Sequence, residues 1–144
     1  MRRILTVFAF SLVLTSCSPA PERTPPGIAS SSIPQTTDER FDRDVVDSDK
    51  PVLVDFYATW CPACSRMEPV LSEIADRYKG KVKVVRIDVD KNTSIAERYR
   101  VNAIPRLMLF RNGDLVGDML GTTTAERLSH QLDSSLASRS GNTL

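Results

Sequence analysis

Residues 60–64 of the chain read Trp60-Cys61-Pro62-Ala63-Cys64. The apolar segment 52–57 comes just before this motif, and an amphipathic segment begins within it at Pro62. Two cysteines at this spacing, where a strand passes into a helix, can close a small disulfide or offer two thiolates to a metal ion. The rest of the sequence decides between these two kinds of chemistry.

The overall composition is that of one globular domain with additional segments. The chain has 144 residues, of which 41% are hydrophobic and 26% charged, values typical of a soluble folded protein. The formal net charge of +1 does not indicate a nucleic-acid partner, and we expect none. The three cysteines leave one unpaired when a disulfide forms, so the third needs its own explanation.

The first 16 residues are typical of an export signal. A positive start, Met1-Arg2-Arg3, is followed by the mostly apolar segment 4–14 and then by small residues, which is the pattern of a secretory signal peptide. The tetrapeptide Leu14-Thr15-Ser16-Cys17 resembles the lipobox of bacterial lipoproteins, in which the cysteine is lipidated. We expect a lipid on Cys17 that anchors the protein to a membrane. Ordinary cleavage nearby would instead leave Cys17 as a free thiol.

Residues 17–36 are expected to form a flexible linker. Five of the nine prolines and a run of three serines lie there, without a periodic apolar pattern. Such a segment buries too little apolar surface to offset the entropy lost on ordering. We therefore place the folded domain at residues 37–137 and expect the polar tail 138–144 to be disordered.

Hydrophobic periodicity within residues 37–137 predicts alternating helices and strands. A helix beginning near Thr37 precedes the apolar run 52–57, which is typical of a strand buried on both faces. The further predicted elements are a helix from Pro62 to Gly80, a strand over 82–89, a helix over 92–99, a hairpin of 107–110 with 115–119, and a helix from Thr123. Strands joined through helices are expected to be parallel and the hairpin antiparallel. We predict an α/β fold, a central mixed β-sheet with helices on both faces.

Several landmarks of the sequence together resemble thioredoxin. They are the motif at residues 60–64, Asp55 in the strand before it, Pro69 in the helix after it, and Ile104-Pro105 before the hairpin. The similarity extends over roughly residues 41–136. It implies a thioredoxin-like fold and a thiol–disulfide oxidoreductase that acts on protein substrates without a cofactor, and we expect a monomer.

The pair of cysteines has a chemistry that depends on its place at the start of a helix. Cys61 should lie at the helix N-terminus, where unpaired backbone N–H groups and the helix dipole stabilise a thiolate. Cys64, one turn later, could resolve a mixed disulfide formed on Cys61. The alternatives are a structural disulfide and half a zinc site. A structural zinc ion is bound by about four ligands. The only histidine, His130, is on the last predicted helix, so we expect no metal.

Further roles are implied by the resemblance. Asp55, the single acid in an apolar strand, should have a raised pKa if it points inward, and it would take and return the proton of Cys64; otherwise it faces solvent. Pro105 resembles the family's cis-proline, although a cis bond before proline is a minority state, and otherwise it simply begins a strand. It would orient Ile104 to pair with an extended substrate segment. Trp60 would offer a flat apolar contact to the substrate.

Four residues depart from the usual thioredoxin pattern and are expected to tune the site. Pro62 and Ala63 stand where thioredoxin has Gly-Pro, and the Ala63 amide could reach the Cys61 thiolate, which would make the protein more oxidising. Arg86 stands where thioredoxin has a lysine near the buried acid, and an arginine there keeps its charge. Arg106 follows the proline where thioredoxin usually has threonine.

Together these features predict a membrane-tethered thiol–disulfide oxidoreductase on the exported side of a bacterial membrane, in the periplasm or on the outer side of the cell membrane. We expect a reductant of exported proteins, including apocytochrome cysteines, that is recharged by a membrane electron donor. A net oxidant or isomerase is the alternative within the same class of activity. A binding module that keeps this fold without catalysis is the alternative from another class.

Overall fold

A computed structural model of the protein describes residues 33–137. The strands in this part are β1 (Val52–Tyr57), β2 (Lys83–Asp88), β3 (Arg106–Arg111) and β4 (Asp114–Leu120). The longer helices are α1 (Pro62–Arg77), α2 (Thr93–Arg98) and α3 (Ala125–Ala137), and a short N-terminal helix (Asp42–Val46) precedes β1. Within residues 33–137, no helix is both long enough and apolar enough to span a bilayer.

The four strands form one sheet in the order β2-β1-β3-β4. Strand β1 is parallel to β2 and antiparallel to β3, and β3 forms an antiparallel hairpin with β4. At the tip of the hairpin, Asn112 and Gly113 have φ angles of 53° and 86°, a left-handed backbone that asparagine and glycine tolerate best. The predicted mixed sheet is confirmed.

The connection from β2 to β3 differs from the prediction. These strands are joined through α2, yet they run antiparallel, because β1 is parallel to β2 and antiparallel to β3. Helix α2 has six residues, so it rises about 9 Å, less than half of the about 20 Å that a six-residue strand spans. A helix this short does not by itself carry the chain back to the other end of the sheet, and β3 begins at the end where β2 finished.

Alternate residues of β1 face two separate cores. Leu53 packs with α1 and α3 on one side of the sheet, whereas Val52, Val54 and Phe56 pack with the short N-terminal helix and α2 on the other. All six residues of β1 are buried, because strands pair with both of its edges and helices cover both of its faces. The predicted arrangement of helices on both faces of the sheet is confirmed.

The folded part begins a few residues before the predicted boundary at residue 37. Gln35 forms an isolated parallel bridge with Arg86. The Thr36 amide donates to the Arg86 carbonyl at 2.9 Å, and the Arg86 amide donates to the Pro34 carbonyl at 2.9 Å. The end of the predicted linker thus extends the sheet beside β2. The predictions for the signal segment 1–16, Cys17, the rest of the linker and the tail 138–144 lie outside the described residues.

The helix predicted to begin near Thr37 is shorter than expected. It is a single wide turn at Asp42–Val46, and the residues just before it form a turn. The Asp38 carboxylate accepts from the Ser94 and Ile95 amides at 3.1 and 3.0 Å, so it caps α2, whose first amides have no helical partner. Asp38, which follows the predicted helix start at Thr37, thus caps a different helix.

Candidate active site

Cys61 and Cys64 lie at the start of α1 and are joined by a disulfide bond. Cys61 is the N-cap residue, and Pro62 occupies the first turn, where its missing N–H leaves no hydrogen bond unmade. The Cys64 amide donates to Cys61 Sγ at 3.2 Å, whereas the sequence had pointed to the Ala63 amide. A helix N-terminus and a direct N–H donor both stabilise negative charge on the sulfur.

The two sulfurs differ in the direction from which they can be reached. Both residues are buried in the oxidised protein, Cys61 5% and Cys64 1% exposed, and both pack with Tyr57 and Ala58 at the end of β1. Of the two, only Cys61 lines the adjacent surface groove. An incoming sulfur can therefore approach Cys61, whereas Cys64 lies behind it within the protein.

A shallow groove of about 430 Å³ runs beside Cys61. Its other lining residues are Trp60, Pro62, Ala63, Val89, Val101, Asn102, Ala103 and Ile104. The Trp60 side chain is 67% exposed, and its Nε1 donates to Asp90 Oδ2 at 2.6 Å. The Ile104-Pro105 peptide bond is cis, as the resemblance implied. The groove thus brings an exposed aromatic ring and the loop before β3 next to the outer sulfur.

Asp55 is fully buried in the middle of β1. It shares a face of the sheet with Leu53 and Tyr57, since alternate residues of a strand point the same way. Its Oδ2 accepts from Arg86 Nε at 2.9 Å, and its Oδ1 is buried without a protein hydrogen-bond partner. Burial raises the pKa of Asp55 to about 6, although the charge and the hydrogen bond of Arg86 act to lower it. The predicted inward orientation of Asp55 is confirmed, whereas its role in proton transfer stays a prediction.

Arg86 connects Asp55 with a second acid that the sequence analysis missed. Arg86 lies directly opposite Asp55 in the β1–β2 register, and its Nη1 donates to Glu68 Oε1 at 2.8 Å. Its guanidinium carbon lies 3.9 Å from the centre of the Tyr57 ring. Glu68 follows Cys64 by four residues on α1, and residues at that spacing share a helix face. This spacing is the signal that could have identified Glu68.

Arg106 lies next to the cis-proline, but its guanidinium is bound to other groups. Its Nε and Nη2 donate to the two carboxylate oxygens of Asp118 on β4 at 2.8 and 2.6 Å, and its Nη1 donates to the Arg100 carbonyl at 2.9 Å. Arg100 has a φ angle of 53°, which is uncommon for a residue other than glycine. Arg106 therefore fastens the loop that carries Ile104 to β4. Its predicted tuning of the cysteines stays a prediction.

The part of the chain that the structure describes contains no group of three or more His, Cys, Asp or Glu side chains placed to hold a metal ion. His130 lies in α3, and the cysteine pair lies at the start of α1. In the disulfide neither sulfur is a thiolate, which is the form that binds a metal.

Asp55→Asn is expected to stabilise the oxidised protein above about pH 6 and to leave its stability nearly unchanged near pH 3. The pKa of Asp55 is raised from 3.8 to about 6, so the folded state binds this proton more tightly than the unfolded state. Ionising Asp55 therefore lowers stability as the pH rises through this window. At about 1.4 kcal/mol per pH unit, this loss reaches about 3 kcal/mol at neutral pH.

Urea unfolding curves near pH 3, 5 and 8 measure the effect. We expect a gain of about 3 kcal/mol at the highest pH and almost none near pH 3, because the neutral amide removes a cost that exists only where Asp55 is ionised. Asp76→Asn, a substitution of an α1 acid outside the site, is the matched control and should change stability by less than about 0.5 kcal/mol. A gain that is the same at every pH would contradict the raised pKa.

Comparison with known proteins agrees with this geometry. The thioredoxin family model matches residues 32–134. The chain is 43% identical over 106 residues to Thioredoxin 1 of Nostoc sp., which covers 74% of this chain and 99% of that protein. It is 40% identical over 107 residues to Thioredoxin C-2 of Corynebacterium nephridii, with 74% and 99% covered, and 43% identical over 103 residues to thioredoxin of Synechocystis sp., with 72% and 96% covered. The chain therefore belongs to the thioredoxin family, and Cys61 and Cys64 are the cysteine pair of a protein thiol–disulfide oxidoreductase.

Proposed function

We propose that the protein is an exported, membrane-tethered reductant that transfers electrons to disulfides of other exported proteins. The observation that carries the proposal is the disulfide at the start of α1, with Cys61 bordering the groove and Cys64 buried behind it. Its similarity to thioredoxins, which as a class have low reduction potentials, supports the direction of transfer. The export signal and the lipobox in the sequence support the location.

The first step of the proposed reaction is attack by Cys61. In the reduced protein, the Cys61 thiolate attacks one sulfur of the substrate disulfide, a mixed disulfide forms, and the other substrate sulfur leaves as a thiolate that takes a proton from water. The helix N-terminus and the Cys64 amide, which lies 3.2 Å from Cys61 Sγ, stabilise the attacking thiolate. Cys61 is the sulfur that can reach a substrate in the groove.

The second step releases the reduced substrate. The Cys64 thiol gives its proton to the Asp55 carboxylate, and the Cys64 thiolate attacks Cys61 Sγ. The bond from Cys61 to the substrate breaks, the Cys61–Cys64 disulfide forms, and the second substrate sulfur leaves and is protonated. A carboxyl group whose pKa is about 6 can both accept and return a proton near neutral pH.

The loop before β3 is proposed to align the substrate. The sheet's hydrogen bonding reaches Pro105, whose carbonyl accepts from the Gly121 amide at 2.8 Å. Ile104 is therefore the next residue outward, at the wall of the groove. An extended substrate segment that pairs with the Ile104 backbone would add a short strand there, with Trp60 as a flat apolar contact in the same groove.

The direction of the chain where it enters the domain supports an N-terminal tether. The bridge between Gln35 and Arg86 is parallel, so residues 33–36 run towards the carboxyl ends of β1 and β2, from which the chain continues to Cys61. The described segment therefore begins towards the end of the sheet that lies opposite to the cysteine pair. A linker from a lipidated Cys17 would join the domain at this end, away from the redox pair. Each turnover consumes two electrons, which a dithiol protein in the membrane would resupply.

Cys64→Ala is expected to accumulate mixed disulfides between Cys61 and exported proteins, because the resolving sulfur is missing. Cells are quenched with acid and a thiol-alkylating reagent, and adducts are identified by mass spectrometry from non-reducing gels. The Cys61→Ala, Cys64→Ala double variant is the matched control and should trap nothing. An absence of adducts under exporting conditions would contradict exchange as the biological role and favour a binding module, whose function should survive replacement of both cysteines by serine.

The reduction potential of the Cys61–Cys64 pair separates a reductant from an oxidant. The reduction potential of a reductant of this family is expected to be about −270 mV, whereas that of an isomerase is about −180 mV and that of a strong oxidant about −120 mV. The Cys64 amide donates to Cys61 Sγ; a donor to this sulfur stabilises the thiolate of the reduced form and so favours the higher potentials of isomerases and oxidants. Equilibration with a dithiol buffer of known potential is therefore decisive. A value above about −200 mV would make the protein a net oxidant or isomerase.

Cys17→Ser is expected to abolish labelling by radioactive palmitate and to release the domain from the membrane fraction. One acyl-bearing residue is the proposed anchor, and its removal leaves no lipid to partition into the bilayer. Disulfide reductase activity of the purified variant should be unchanged, because the pair at residues 61 and 64 is intact. Persistent labelling, or unchanged sedimentation with membranes, would contradict the anchor at Cys17.

A further inference from the structure

Glu68 makes and breaks no bond in the proposed exchange, but the Arg86 side chain connects it with the buried Asp55. Arg86 Nη1 donates to Glu68 Oε1 at 2.8 Å, and Arg86 Nε donates to Asp55 Oδ2 at 2.9 Å. The side chains of Glu68, Arg86 and Asp55 are 57%, 11% and 0% exposed, so the three groups run from the surface to the core. We propose that Glu68 is a positioning residue for thiol–disulfide exchange: it holds the Arg86 guanidinium against Asp55 and so leaves one carboxylate oxygen to exchange the proton.

Arg86 is held in place from several directions. Its backbone pairs with β1 on one edge and with Gln35 on the other, and its guanidinium lies over the Tyr57 ring. The planar fork of arginine can serve two carboxylates at once, whereas lysine presents a single point charge. Asp55 is the inner acceptor of this fork and Glu68 is the outer one. Without Glu68, the outer N–H groups would turn towards water.

The groups that face Asp55 determine in which direction the loss of Glu68 should shift the pKa of Asp55. Arg86 comes from β2, Glu68 from α1 and Tyr57 from β1 itself, and Leu107 of β3, opposite Asp55 in the register, carries no charge. Arg86 lowers the pKa of Asp55, whereas the negative charge of Glu68 raises it. A contribution of Glu68 that acts through Arg86 and one that acts directly through its charge therefore have opposite signs.

The positioning of Arg86 decides which oxygen of Asp55 is available. Oδ2 accepts from Arg86, and Oδ1 has no protein hydrogen-bond partner. With the guanidinium fixed, Oδ1 is the oxygen that forms the new O–H bond when the S–H bond of Cys64 breaks. This consequence rests on the proposed role of Asp55, whereas the hold of Glu68 on Arg86 can be tested without it.

Glu68→Ala and Glu68→Gln separate positioning from charge. Alanine removes the acceptor and the charge, whereas glutamine keeps an oxygen for Arg86 and removes only the charge. We expect alanine to raise the pKa of Asp55 by about half to one pH unit, because a released guanidinium stabilises the carboxylate less. Glutamine should lower this pKa slightly or leave it unchanged.

The measurement is a carboxyl ¹³C NMR titration of the oxidised protein, in which the disulfide removes both cysteines from the titration. If alanine and glutamine lower the pKa of Asp55 alike, or if alanine leaves it unchanged, the proposal is overturned. Glu73→Gln is the matched control, because Glu73 also lies on α1 and pairs with Arg77; it should not move the pKa of Asp55.

A second test uses Arg86→Lys, which keeps a cation beside the buried acid and so avoids an unpaired buried charge. A lysine ammonium cannot bridge both carboxylates. In this background Glu68→Ala should therefore no longer raise the pKa of Asp55, and the two substitutions should be non-additive. A rise of the same size as in the parent protein would overturn the proposal.

Kinetics distinguish a failure of this proposal from a failure of the proposed role of Asp55. The step in which Cys64 releases a mixed disulfide from Cys61 is followed by stopped-flow across pH. Its pH midpoint in Glu68→Ala should move upward together with the pKa measured by NMR. An NMR shift without a kinetic shift would overturn proton transfer through Asp55 and the role of Glu68 in exchange. If neither shifts, while Asp55→Asn still slows the step, only the positioning role fails.

Discussion

Strand β1 is hydrogen-bonded along both edges and covered on both faces, and the rest of the structure depends on that burial. A strand in this place has every backbone group paired within the sheet, so it has little freedom to shift. Its carboxyl end leads into a turn from Ala58 to Cys61, the N-cap of α1, so the rigid strand sets where α1 starts. The same burial leaves Asp55, in the middle of the strand, without solvent.

The buried acid is a local conflict between stability and chemistry. A carboxylate without water is unfavourable, and the single hydrogen bond from Arg86 only partly offsets this cost, since the pKa of Asp55 is still raised. Residues that lower stability in this way concentrate at functional sites. The chain of contacts from Asp55 through Arg86 to Glu68 connects a partly exposed acid on α1 with the buried carboxyl group of β1.

The site is assembled from segments that are distant in sequence. Helix α1 provides the sulfurs, the loop before β3 provides one wall of the groove, and β2 provides the cation beside the buried acid. The bonds of Arg106 to Asp118 and to the Arg100 carbonyl fasten that loop to the sheet. The groove is therefore set by contacts between segments, and no single segment contains it.

Local patterns carried most of the prediction, since the apolar run of β1, the amphipathic segment of α1 and the hairpin of β3 with β4 each depend on neighbouring residues. The motif with Cys61 and Cys64, with Asp55 before it and Pro105 after it, was likewise sufficient to indicate a redox pair in a thioredoxin-like fold. Only the tertiary structure decided four further features. They are the antiparallel course of β3, the use of Asp38 as a cap for α2, the pairing of residues 34–36 with β2, and the link from Glu68 to Asp55. Each of these joins residues far apart in the chain, and the order of residues alone does not state which distant partner a carboxylate or a backbone amide will meet.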